Sequence, residues 1–215
     1  MPTDQDVLTL SQWFSPGFPV GAFAYSHGLE WAIDCGDVGD AESTRGWVES
    51  VLRHGAGRND CIFLAAAFRV GTHQELAEID AMCRAFAPSR ERLKETDLQG
   101  AAFCDVLSSV WGADVKDLCY PVAAGRAARL STLPLGLTAQ MYLQSFLSNL
   151  VTAAMRLVPL GQTEGQRLIH ELMPLVSEIA RDALQAGLDD LAATAFLSDI
   201  ASMKHETQYS RICRT

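Results

Sequence analysis

The chain has 215 residues, with 17 Lys and Arg against 26 Asp and Glu and a formal net charge of −9 at pH 7. Hydrophobic residues make up 48% and charged residues 20%, which excludes general disorder and favours one folded domain. The negative net charge argues against nucleic acid and anionic membrane surfaces as partners, because both are themselves negative.

The composition favours α-helix over β-strand. The sequence contains 29 Ala and 26 Leu against 13 Val and 7 Ile, and Ala and Leu are the residues that cost least in a helix. Apolar residues recur at intervals of three and four, as in residues 168–179, and no sustained run alternates with period two. We therefore predict an all-α, single-domain bundle of about nine or ten helices with no significant sheet.

Start and stop signals locate the helices in the first half of the chain. Asp40 is the predicted N-cap of a helix that ends before Gly55. Thr72 matches the first residue of a capping box, in which two side chains satisfy the free amides at a helix start. Ser89 is predicted to open a long helix that ends at Gly112.

The second half contains more breakers. Residues 120–136 hold two prolines and two glycines, and we expect a surface crossing there rather than a domain boundary. Residues 141–160 form an amphipathic core helix, because polar residues interrupt them at helical intervals. Thr163 with Gln166 matches a second capping box, and the helix that follows should kink or divide near Leu172 because of Pro174.

Patterns for catalysis and metal binding are incomplete throughout the chain. There is no phosphate-binding P-loop, and the five histidines form no pair at i,i+3 or i,i+4. Residues 205–209 begin like a zincin helix but carry Tyr209 in place of the second histidine. Residues 24–28 approach a nucleophile elbow without the strand that such an elbow follows. From these patterns we assign no catalytic residue, no metal ligand and no cofactor.

The cysteines and the N-terminus indicate a compartment. The six cysteines contain no CxxC pair, and the acidic N-terminal residues lack the basic start of a secretory signal. No apolar run approaches the roughly 20 residues that span a bilayer. We therefore expect reduced thiols, no membrane span and a cytoplasmic location.

Two segments contain residues that core packing alone does not explain. In the first, two prolines and two glycines within residues 16–21 precede Tyr25, Ser26 and His27. The second is the C-terminal tail, residues 203–215, which carries Arg and Tyr, the residue types that often anchor interfaces. We divide the chain into an all-helical domain, residues 1–202, and a partner-docking tail, residues 203–215.

At these segments the sequence resembles the UreF family of urease accessory proteins. The string FPVGAF at residues 18–23 and SHGLE at 26–30 resemble the N-terminal signature of that family. GRND at 57–60 and RLVPLGQTEGQ at 156–166 are similar to its later motifs. Residues 202–211 resemble the family's C-terminal end. The matches follow the same order and cover nearly the whole chain.

The resemblance implies a helical protein without a catalytic centre, which dimerises and binds a second accessory protein called UreD or UreH. Together they would bring the GTPase UreG to apo-urease, so that the nickel centre is assembled. The residues that we expect at the partner interface are His205, Glu206, Tyr209, Arg211 and Arg214, supported by Tyr25, Ser26 and His27. Residues 25–27 have an alternative interpretation as a helix start packed within the monomer.

Two other functions remain open from the sequence. The first is a regulator that lends an arginine to the UreG active site, where it would stabilise charge during phosphoryl transfer. The candidates are Arg58, Arg126, Arg156 and Arg211. The second is an all-α enzyme or small-ligand carrier with a pocket between its helices.

Overall fold

The computed structural model describes residues 1–215 and contains ten α-helices and no strand. The prediction of an all-α fold is therefore confirmed. In chain order the helices are α1 Asp4–Trp13, α2 Leu29–Asp34, α3 Ala41–His54, α4 Ala56–Arg69, α5 His73–Ala85, α6 Arg90–Val106, α7 Tyr120–Leu130, α8 Leu135–Leu157, α9 Gln162–Ala183 and α10 Phe196–His205. Short 3-10 turns precede α2 and α10.

Three helix starts, capped by Asp40, Thr72 and Ser89, lie where the sequence predicts them. The Asp40 carboxylate accepts a hydrogen bond from the Ser43 amide at 2.9 Å and so caps α3. The Thr72 hydroxyl accepts from the Glu75 amide at 3.2 Å in the predicted capping box. Ser89 caps α6, which continues as a short stretch of π-helix, Leu107–Trp111, and ends at Gly112.

The prediction of a surface crossing at residues 120–136 was wrong. Most of this segment is α7, a buried helix packed against α4. Pro121 lies in the first turn, where no amide donor is needed, so it does not break the helix. Gly125 allows close packing rather than a turn, because a Cβ there would lie 2.1 Å from the Leu64 carbonyl oxygen.

The start of α9 also differs from the prediction. Its N-cap is Gly161, and Thr163 lies inside the first turn, so the expected capping box with Gln166 does not form. The helix is not divided at Pro174 but runs from Gln162 to Ala183 as one element. The hydrophobic face of α9 is buried along its whole length, which offsets the hydrogen bond that the proline removes.

One contiguous core of 47 buried residues unites helices α1 to α9, with α4 near its centre. Trp13 of α1 packs edge-on against Phe103 and Trp111 at 5.7 and 5.9 Å between ring centroids. Such aromatic contacts add to the free energy gained from burying apolar surface. None of the helices combines the length and apolar character needed to cross a bilayer.

Candidate docking site

The segment that leads into α2 adopts an unusual backbone that only certain residues allow. His27 and Gly28 have φ angles of 55° and 76°, in the left-handed region. A Cβ on Gly28 would lie 2.7 Å from the Ser202 amide nitrogen and 2.9 Å from the Ala201 Cβ. Glycine is thus required at position 28 for two reasons, its positive φ angle and the close approach of α10.

The C-terminal tail is bound to this segment by backbone hydrogen bonds. The Arg214 amide donates to the Ala24 carbonyl at 2.7 Å, and the Ser26 amide donates to the Thr215 backbone oxygen at 2.9 Å. The Ser26 hydroxyl donates to the same Thr215 oxygen. The tail therefore lies against the body, with Cys213 and Thr215 buried.

Glu30 and His205 form the second attachment of the tail. The Glu30 carboxylate accepts from the Ile212 amide at 2.6 Å and from the Cys213 amide at 2.7 Å. The imidazole of His205, which is fully buried, lies between Glu30 and Glu91, at 3.2 and 2.6 Å. Residues far apart in sequence are thus joined where α2, α6 and α10 meet.

Beneath the tail lies a buried ionic cluster. Arg92 forms an ion pair with Glu95, whose other neighbours are His27 Nε2, the Thr215 hydroxyl and the Gln99 side-chain amide, each at 3.1 Å. Burial opposes ionisation of Glu95, but the charge of Arg92 and the hydrogen bonds from Arg92 and His27 outweigh it and lower the pKa of Glu95 to about 2. Burial and Arg92 both lower the pKa of His27, so its imidazole is neutral near pH 7.

Asp60 of α4 also belongs to this cluster, but its pKa is raised instead of lowered. Burial raises the pKa of its carboxyl to about 6, although Arg92 and the Tyr142 hydroxyl, which donates to it at 2.8 Å, act in the other direction. Two small cavities border the cluster, with volumes of about 60 and 30 Å³. Cavities of this size hold a few water molecules and not an organic ligand.

Helix α10 has its large apolar side chains on the outside. Its buried residues are small or polar, namely Ser198, Ala201, Ser202 and His205. Its exposed residues are large and apolar, namely Phe196 at 66%, Leu197 at 76%, Ile200 at 51% and Met203 at 50%. Tyr209 and Ile212 of the tail are also exposed. We call these six exposed residues the docking surface, since exposed apolar patches are typical of interaction sites.

The structure brings both predicted segments together and gives their residues different environments. Tyr25, Ser26, His27 and His205 are buried within the monomer. Glu206 is partly buried and its carboxylate accepts from the Arg90 amide and guanidinium. Tyr209, Arg211 and Arg214 are exposed. Helix α10 continues across the boundary drawn at residues 202 and 203, so the tail begins inside a helix.

Several residues of the site were missed in the sequence. Glu30, Glu91 and Glu95 hold the tail, but their role depends on contacts across more than 100 residues. The apolar face of α10 carried a local signal, since Phe196, Ile200 and Met203 are spaced i, i+4 and i+7. That spacing predicts one apolar stripe but not whether it faces inward or outward.

The four candidate arginines have separate environments. Arg58 donates to the Asp190 carbonyl at 2.7 Å, and Arg156 donates to the Phe23 carbonyl at 2.5 Å. Arg126 is half-buried and its Nε has no hydrogen-bond partner. Arg211 is exposed beside the docking surface and donates to Glu91 at 2.6 Å. No three His, Cys, Asp or Glu side chains converge as metal ligands would.

Comparison with known proteins gives matches over the whole chain. The profile of the protein family described as UreF matches residues 38–173. A protein of Ruegeria pomeroyi named urease accessory protein UreF is 59% identical over 214 residues, which cover 100% of this chain and 99% of the relative. Proteins with the same name from Roseobacter denitrificans and Cereibacter sphaeroides are 54% and 50% identical, over 97% of this chain and 93% and 98% of their own lengths.

Proposed function

This chain belongs to the UreF family of urease accessory proteins, and from this we propose that it serves urease maturation as a non-catalytic interaction scaffold. The observation that carries the proposal is the docking surface on α10 and the tail. Helix α10 buries serines and exposes Phe, Leu, Ile and Met. In the free protein these apolar side chains therefore contact water, which costs free energy. A protein partner that covers this surface would remove that cost.

The first partner in this proposal is an accessory protein of the UreD or UreH type. Apolar anchors surrounded by polar groups are typical of specific interfaces. Here Arg211 and Arg214 lie in the tail beside Tyr209 and Ile212, so that charged groups border the apolar patch. The buried residues Tyr25, Ser26, His27 and His205 would act indirectly, by holding the tail in the shape that the partner recognises.

The other partners are a UreG-like GTPase, apo-urease and a second copy of this chain. A scaffold needs a second surface for them, and Val7 and Leu8 of α1, exposed at 43% and 65%, supply another apolar patch. A cytoplasmic site of action belongs to the same proposal. The six unpaired cysteines, five of them buried, fit a reducing compartment.

The experiment that tests the scaffold role is co-purification with UreD- and UreG-like partners. Removing residues 203–215 would also remove buried contacts of His205 and Thr215, so point variants are preferable to truncation. We expect Leu197→Asp to weaken partner binding by roughly 30-fold or more, as loss of an interface anchor does. Val110→Asp, at a site 65% exposed on the π-helical end of α6, is the matched control and should bind normally.

Equal binding by Leu197→Asp and the unchanged chain would refute the docking surface. Urease activation in a strain that carries each variant then provides a functional readout. Activation should be lost with Leu197→Asp and kept with Val110→Asp. If both variants bind and activate alike, the partner covers a different face.

A regulatory role is a second candidate, favoured by the position of Arg211. Its guanidinium is exposed beside the docking surface and is paired only with Glu91. An arginine supplied to a GTPase in trans raises its rate about 10³- to 10⁵-fold. GTP turnover at saturating partner concentrations distinguishes this role when Arg211→Lys, which keeps the positive charge but lacks the guanidinium, is compared with the unchanged chain. A scaffold alone leaves the turnover of the bound GTPase unchanged.

A further inference from the structure

His205 is fully buried, yet both nitrogens of its ring face carboxylates. Nδ1 lies 2.6 Å from Glu91 Oε2, and Nε2 lies 3.2 Å from Glu30 Oε2. An ionised carboxylate has only acceptors, so each contact needs an N–H on the imidazole. A neutral imidazole has one N–H, whereas the imidazolium has two. With both carboxylates ionised, both hydrogen bonds form together only when His205 is positively charged.

The charges around His205 lead to the same conclusion. The titratable and charged groups that face or flank it are Glu30 on α2, Arg90 and Glu91 on α6, Arg211 and Cys213 in the tail, and Lys204 and Glu206 beside it in sequence. Glu206 pairs with Arg90, Lys204 is exposed, and burial keeps the Cys213 thiol neutral by raising its pKa to about 11. Unless the imidazole is protonated, Arg211 is then the only positive charge that balances the carboxylates of Glu30 and Glu91.

Glu30 links this charge to the position of the tail. Its two oxygens accept the backbone N–H groups of Ile212 and Cys213 as well as the His205 ring. Burial acts against its ionisation, but these donors together lower the pKa of Glu30, so the carboxylate is charged. If His205 loses a proton and keeps the shorter bond to Glu91, the Nε2 lone pair faces Glu30. The resulting repulsion acts on the group that binds the tail.

We propose that His205, Glu30 and Glu91 form a proton-dependent clasp for residues 212–215. With the imidazole protonated, the clasp is closed and the tail lies along α2. Loss of that proton opens the clasp and frees the Ile212 and Cys213 amides, while Arg214 and Thr215 keep their hydrogen bonds to Ala24 and Ser26. By linkage, the closed state binds one more proton than the open state, so the closed fraction falls as pH rises. The effect of this release on partner binding rests on the function proposed above, but the clasp itself does not.

Amide hydrogen exchange on the full chain without partners tests the clasp. The probes are the amides of Ile212 and Cys213, measured by NMR between pH 6 and pH 9 and corrected for the pH dependence of exchange in an unfolded peptide. We expect protection at pH 9 to be about 10- to 100-fold lower than at pH 6, the range set by a hydrogen bond to a charged group. Amides of α8 should stay protected across this range.

Two variants make the test specific. In Glu91→Gln the new side chain amide can donate to Nδ1, so a neutral imidazole satisfies both neighbours and the pH dependence should largely disappear. His170→Gln, at an exposed position of α9, should retain the dependence of the unchanged chain. Equal protection at both pH values in the unchanged chain would overturn the proposal. The proposal would also be overturned if Glu91→Gln lost as much amide protection between pH 6 and pH 9 as the unchanged chain, or if the α8 amides lost protection over the same range.

Discussion

Replacing Gly28 by alanine tests how the tail and α10 are held against the body. A residue with a Cβ at φ 76° pays about 1–2 kcal/mol for the left-handed conformation. The added methyl group would also lie within 3 Å of the Ser202 amide nitrogen and the Ala201 Cβ, so α10 has to move away. Overpacking of this kind costs about 1–3 kcal/mol more. The expected loss in free energy of unfolding is about 2–5 kcal/mol.

The matched control for this variant is Gly36→Ala. Gly36 has a φ angle of 83° but nothing within 4 Å of an added Cβ, so it pays only the conformational term, about 1–2 kcal/mol. Urea denaturation monitored by circular dichroism gives the free energy of unfolding of the two variants. Co-purification with the partners reports whether the docking surface still binds them. Gly28→Ala should be the less stable and should bind partners weakly, whereas Gly36→Ala should bind normally. Equal stability and equal binding would refute the close approach of α10.

Three further predictions concern the cluster, the core and the tail. Asp60→Asn should stabilise the protein relative to the unchanged chain, and the difference should grow from pH 4 to pH 6. The reason is that the raised pKa of Asp60 makes its ionisation unfavourable in the folded state. A stability difference that does not change with pH in urea denaturation would contradict this. Gly125→Ala should lower the free energy of unfolding by about 3 kcal/mol or more, since the added methyl group meets the Leu64 backbone. In a chain of this size 1 kcal/mol corresponds to roughly 2–4 °C in melting temperature, so a melting temperature within about 2 °C of the unchanged chain would refute the α4–α7 packing. Arg211→Ala should change stability by less than about 1 kcal/mol, because its ion pair is exposed, yet lose complex formation; unaltered co-purification would exclude a contact role.

The sequence predicted those parts of the fold that local chemistry determines. Asp40, Thr72 and Ser89 cap helices through side chains only a few residues from the amides they bind, so their pattern is visible in the sequence. Pro121 and Gly125 predict a surface crossing but lie in a buried helix, because these residue types serve both in turns and in closely packed helices. Which of the two applies depends on the neighbouring helix, and α4 is distant in sequence.

The site could be predicted only in part. The motif at residues 26–30 and the tail were both singled out, but nothing local indicates that Ser26 and Glu30 bind residues 212–215. Such pairing arises from the folded chain and is absent from any short window. The resemblance to the UreF family, by contrast, rested on ordered motifs along the whole chain, and the family comparison confirms it.

The most direct test of the scaffold account is an exchange footprint of the complex. Amide hydrogen exchange of this chain is compared with and without a purified UreD-like partner, peptide by peptide. We predict that added protection is concentrated in α10 and residues 203–215, and that Leu197→Asp abolishes it. Added protection confined to other helices, with α10 and the tail unchanged, would contradict the assignment of the docking surface.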